Sequence, residues 1–135
     1  MPFIVDASVL LARPLGEREP RAELALDRLL NETGFAPALW WFELRNGLVI
    51  NERRGRLTEH ESGEFLDELA KLDIVIDRTP HEEVLMTLAR RHCLTVYDAA
   101  YLELALREGL PLATLDAALA DAARKEGVGM LGETA

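Results

Sequence analysis

A chain of 135 residues with 49% hydrophobic and 29% charged side chains has the size and balance of one globular domain. That excludes a second full domain and a disordered or fibrous chain. The formal charge of −9, from 24 acids against 15 Lys+Arg, argues against coating nucleic acid through broad, sequence-independent phosphate contacts.

Phe3-Ile4-Val5 opens the chain as a short β-branched strand that ends at Asp6, with a brief helical piece behind it that Pro14 and Gly16 stop. Pro20 starts a helix with Ala22, Ala25, Leu26, Leu29 and Leu30 on its apolar stripe, and Gly34 ends it. A very short strand is expected at Phe35-Ala36, then a long helix from about Ala38 to Arg54 with Gly55 as its stop signal. Thr58 and Glu61 have capping-box spacing ahead of Phe65, Leu66, Leu69 and Leu72. Ile74-Val75-Ile76 reads as a strand, His81 to His92 as a helix, and Tyr97 to Arg107 as a central helix buried nearly all round. Pro111 to Thr114 reads as a further strand, Asp116 to about Glu126 as a helix, and Val128 to Leu131 as a weaker closing strand.

Strands separated by helices, without hairpin turn signals, predict a single α/β domain over 1–135 with a parallel sheet and helices on both faces. No apolar run reaches the ~18 residues of a membrane span, and the start of the chain has no signal-peptide pattern. The lone Cys93 cannot close an internal disulfide, so a cytoplasmic, reducing setting is expected. Seven acids between Leu57 and Thr79 face only Lys71 and Arg78, so this stretch carries −5 of the −9.

Ligands of an open parallel sheet collect beyond the carboxyl ends of its strands. Asp6 and Asp116 stand at two such ends. Each alone reads as a helix cap, and the two at one edge read as a shared site. Asp98, at the head of the most apolar helix, reads as a cap or as a third member. Glu43 lies within Leu39-Trp40-Trp41-Phe42-Glu43-Leu44, where a solvated face is not expected, and shares a helix face with Asn46. It reads as a partner of Arg45 or as a carboxylate aimed at a cation. Four converging carboxylates would raise one another's pKa unless a hard divalent cation joined them, and oxygen-only ligands suit Mg²⁺ or Mn²⁺. Ser8 and Thr114, two residues from an acid, could anchor a water or a phosphate oxygen, or bond local backbone.

Taken in order, Ile4-Val5-Asp6-Ala7-Ser8, Glu43 with Asn46, Tyr97-Asp98-Ala99-Ala100-Tyr101 and Thr114-Leu115-Asp116 resemble the PIN-domain family, and the length is similar to its VapC-type toxin branch. The resemblance spans essentially the whole chain. It implies a sheet of about five parallel strands and a Mg²⁺- or Mn²⁺-dependent endoribonuclease. The ligands it implies are Asp6, Glu43, Asp98 and Asp116, with Asn46 orienting Glu43. It further implies a homodimer and a VapB-type antitoxin whose segment fills the groove. Asp121, five residues beyond Asp116, reads as a surface acid.

Arg53, Arg54 and Arg56, and separately Arg90-Arg91-His92, are basic clusters that either guide phosphates or complement helix C-termini. Trp40 and Trp41 suit the core or a protein contact, with base stacking as the alternative. An RNA-processing nuclease without an antitoxin is the second reading. A Mg²⁺-binding receiver-like module is a third; it needs a lysine on a late strand, and Lys71 and Lys125 are the only lysines and lie on none.

Overall fold

The computed structural model describes residues 1–133. Four strands, β1 (Phe3–Val5), β2 (Gly34–Pro37), β3 (Ile74–Asp77) and β4 (Leu112–Ala113), form one parallel sheet in the order β3-β2-β1-β4. Seven helices connect and flank it: α1 (Ala7–Leu11), α2 (Pro20–Leu29), α3 (Leu39–Arg53), α4 (Glu59–Leu69), α5 (Glu82–His92), α6 (Val96–Glu108) and α7 (Ala117–Lys125). None of them is long and apolar enough to cross a membrane.

β1 lies between two strands that are remote in sequence. Ile4 is level with Phe35 on one side and with Leu112 on the other. All three β1 side chains are fully buried, which is why the run is continuously apolar rather than alternating. β3 is an edge strand, and its Val75 and Ile76 remain partly exposed. The closing strand expected at Val128–Leu131 is reduced to one parallel bridge between Leu112 and Met130. The segment lies between Gly127 and Gly132, both at positive φ, so the chain turns away before a second pair of residues can join.

α6 packs against β1, β2 and β4 and is the centre of the core. Its residues Ala99 to Ala105 are buried without interruption. The Thr95 hydroxyl accepts from the Asp98 N–H at its start, and Gly109 in the left-handed conformation ends it. Even the buried Glu103 is neutralised: the Arg107 guanidinium bonds both Glu103 oxygens and both Asp77 oxygens, tying α6 to the end of β3. Thr58 and Glu61 form the capping box of α4. Parallel strand direction brings the carboxyl ends of β1 and β4, hence Asp6 and Asp116, to the same edge.

Candidate active site

Asp6 follows β1 directly and occupies the N-cap position of α1, but its side chain caps nothing. It is only 6% exposed. Its Oδ2 accepts from Ser8 Oγ at 2.9 Å and from Thr114 Oγ1 at 2.6 Å. Each hydroxyl in turn accepts a backbone N–H from the segment between β4 and α7: Leu115 donates to Ser8, and Asp116 donates to Thr114. Ser8 and Thr114 therefore bond backbone, one of the two roles the sequence left open, and in addition orient Asp6, a role it did not suggest. Both side-chain bonds land on Oδ2, and the Ser8 backbone N–H is a further polar neighbour of the carboxylate. Burial pushes the Asp6 carboxyl above its ordinary value despite these bonds, and the charge of Asp116 adds to the rise.

Glu43 sits on α3, one helical turn after Leu39, at half-buried depth. Its Oε1 accepts from the hydroxyl of Tyr101, on α6, at 2.6 Å. Burial again raises its pKa, with the charges of Asp6 and Asp98 contributing and the Tyr101 bond opposing. Arg45 is not its partner: that guanidinium lies over the Trp41 ring, 3.8 Å from its centroid, and donates to the Trp41 carbonyl. Asn46 lines the same groove as Glu43, but the hydrogen bond Glu43 accepts comes from Tyr101. Tyr101 was missed as a site residue because its partner is 58 positions away and its apolar neighbours mark it as core.

Asp98 stands in the first turn of α6, where Thr95 rather than Asp98 is the cap. Burial raises its pKa, followed by the charges of Asp116 and Asp6. Asp116 does cap α7, accepting from the Leu119 N–H at 3.0 Å. Among the four acids, every pair except Glu43 with Asp116 thus raises the pKa of at least one partner. Burial and Asp6 push the Tyr101 phenol far up, so it remains a neutral donor.

Carboxylates that destabilise one another call for positive charge, and the described residues place no cation among their hydrogen-bond partners. The donor set is all oxygen, which fits a hard divalent ion. Among the described residues no three His, Cys, Asp or Glu side chains close around a single point.

Beside Glu43 runs a groove of about 580 Å³ whose lining includes Phe42, Asn46, Arg53 and Tyr97. Arg53 is the member of its basic cluster that reaches this groove. Arg56 is turned toward Asn51 and Glu17. In the second cluster, Arg91 and His92 bond Glu126 at the end of α7. Trp40 is buried, whereas Trp41 and Phe42 are exposed and stack edge-on at 5.0 Å. Asp121 is a surface acid paired with Arg124.

The sequence matches the PIN domain family over residues 3–125. It is 37% identical over 127 residues to Ribonuclease VapC3 of Pyrobaculum aerophilum, covering 90% of this chain and 94% of that protein. The fold superposes on PAE2754 of Pyrobaculum aerophilum with a TM-score of 0.70 at 24% identity, over 90% of this chain and 84% of the other. It also superposes on FitAcB of Neisseria gonorrhoeae with a TM-score of 0.63 at 20% identity, over 96% of each chain. The chain belongs to the PIN-domain family, in its VapC branch.

Proposed function

We propose that this protein is a divalent-metal-dependent endoribonuclease, the toxin of a VapBC-type toxin–antitoxin pair. Asp6, Glu43, Asp98 and Asp116 hold the ion, Mg²⁺ or Mn²⁺. The observation that supports this reading is that Asp6, Glu43 and Asp98, from three separate segments, are each raised by burial and by the charge of neighbouring acids, with Asp116 among those neighbours and tied to Asp6 through the Thr114 hydroxyl. It is joined to 37% identity with a curated VapC ribonuclease.

A bound divalent ion supplies activation of water and neutralisation of charge at the scissile phosphate. The chain's own contribution is to hold the ligands in place. Ser8 and Thr114 fix Asp6 through one oxygen, the Leu119 N–H fixes Asp116, and the first turn of α6 carries Asp98 on a rigid element. Arg53 and Arg45 give the groove beside Glu43 positive charge for an RNA backbone. The protein acts in the cytoplasm as a homodimer, and a VapB-type antitoxin restrains it.

Asp6→Asn keeps the volume and the capacity to accept from Ser8 and Thr114 while removing the charge. Cleavage of total RNA in Mg²⁺ should fall at least 100-fold, with an unchanged far-UV circular dichroism spectrum. Equal cutting by mutant and wild type would sink the assignment. Co-expression of a neighbouring short reading frame that fails to suppress toxicity would remove the antitoxin part alone.

A further inference from the structure

Tyr101 is the largest of the fully buried side chains. Its ring belongs to the core of α6, yet its hydroxyl does not settle on a nearby backbone carbonyl. It donates to Glu43 Oε1 on another helix, at the 2.6 Å expected of an O–H bound to an ionised carboxylate. The Ala7 backbone amide, next to Asp6, is a further polar neighbour of the same oxygen. A buried tyrosine needs a partner for its hydroxyl, and packing alone would be served by phenylalanine.

Glu43 lacks any other such anchor. Asp6 is held by two hydroxyls and Asp116 by a backbone N–H, but the one described hydrogen bond to Glu43 is that of Tyr101. Asn46 and Arg45, its helical neighbours, do not bond it. A glutamate has three rotatable side-chain bonds and up to about 2 kcal/mol of rotamer freedom to lose. Tyr101 has two such bonds, and both are fixed by complete burial.

We infer that Tyr101 is a positioning residue for the ion site: its hydroxyl pins the Glu43 carboxylate through Oε1 and leaves Oε2 as the ligand atom. The inference rests on the metal-nuclease reading above. It sets Tyr101 apart from Tyr97, which is exposed at the groove.

Tyr101→Phe removes one oxygen and preserves the ring. Mn²⁺ binding, followed by the electron paramagnetic resonance of the free ion, should weaken by about 10-fold or more, the usual effect of losing a group that orients a metal ligand. At saturating Mn²⁺, kcat on a fluorescent single-stranded RNA that the wild type cuts should fall while KM stays within twofold. The melting temperature in EDTA should stay within a few degrees of wild type. A folded Tyr101→Phe protein with unchanged Mn²⁺ affinity and kcat, alongside an impaired Glu43→Gln, overturns the inference.

A second measurement needs no change at Tyr101. The chain has two tyrosines, so ¹³C labelling of tyrosine in a Tyr97→Phe background gives one signal for the hydroxyl-bearing carbon. That signal should move on titration with Mg²⁺ in the otherwise wild-type chain and stay still in Glu43→Gln. A signal that ignores saturating Mg²⁺ overturns the inference even if Tyr101→Phe fails to fold. Retention of Mn²⁺ binding and cleavage by both Asp6→Asn and Glu43→Gln would instead overturn the nuclease reading itself.

Discussion

Asp6, Glu43 and Asp98 share one property: each carboxyl is held above its ordinary value chiefly by burial. The folded protein therefore binds protons at these groups more tightly than the unfolded chain does. Their protonation contributes stability that is complete below the ordinary carboxylate pKa values of 3.8 and 4.5 and is lost as pH rises through the raised folded values. Ionising these three groups in the metal-free fold is thus unfavourable, and a divalent cation would relieve that cost. Millimolar Mg²⁺ or Mn²⁺ should raise the melting temperature at pH 7.5, because an ion bound by the folded state alone stabilises it. The rise should shrink as pH is lowered toward 5, where protons compete for the same oxygens. Scanning fluorimetry with an EDTA control measures both, and a metal shift equal at the two pH values would contradict this assignment of the ligands.

The helices show what local pattern conveys and where it stops. Thr58 with Glu61 predicted a capping box that is present, and the apolar stretch after Tyr97 predicted the central helix. The placement of Asp6 and Asp116 at strand ends was legible for the same reason: strand, acid and helix follow one another in sequence. The Tyr101–Glu43 bond was not legible, because it depends on how α3 and α6 meet. The Val128–Leu131 strand was over-read, since apolar content does not reveal that Gly127 and Gly132 adopt positive φ on either side. Cys93 makes a similar point. It ends α5 in the left-handed conformation, φ 53°, where glycine is the favoured residue, and it is exposed. Cys93→Gly should stabilise the protein by up to about 1 kcal/mol, a rise of roughly 2–8 °C in melting temperature for a domain of this size. A fall would mean that the side chain has a role its exposure does not suggest.

At the scale of the whole molecule, the edge of the sheet is assembled from both ends of the chain. Thr114 reaches Asp6 across 108 positions because β4 pairs with β1. Thr114→Val keeps the shape but leaves a buried carboxylate short of a donor, which should cost about 1–3 kcal/mol. Urea unfolding at pH 7.5 without metal reads that loss directly, and an unchanged midpoint would show that Ser8 alone suffices to hold Asp6. The net charge of −9 was readable from composition, but its geography needed the fold. The acid-rich stretch from Leu57 to Thr79 lies on α4 and the edge strand β3, whereas Arg45 and Arg53 lie in the groove beside Glu43. A strongly acidic protein can thus still offer RNA a locally basic approach.

The pairing of the first strand with the last carries one further consequence. A chain that has made only β1, β2 and β3 possesses Asp6 and Glu43 but lacks the Thr114 hydroxyl that steadies Asp6, and Asp116 has no place to stand. The proposed ion site is therefore incomplete in any form that lacks β4. On this reading the full ligand set comes together only when the final strand slots home beside the first.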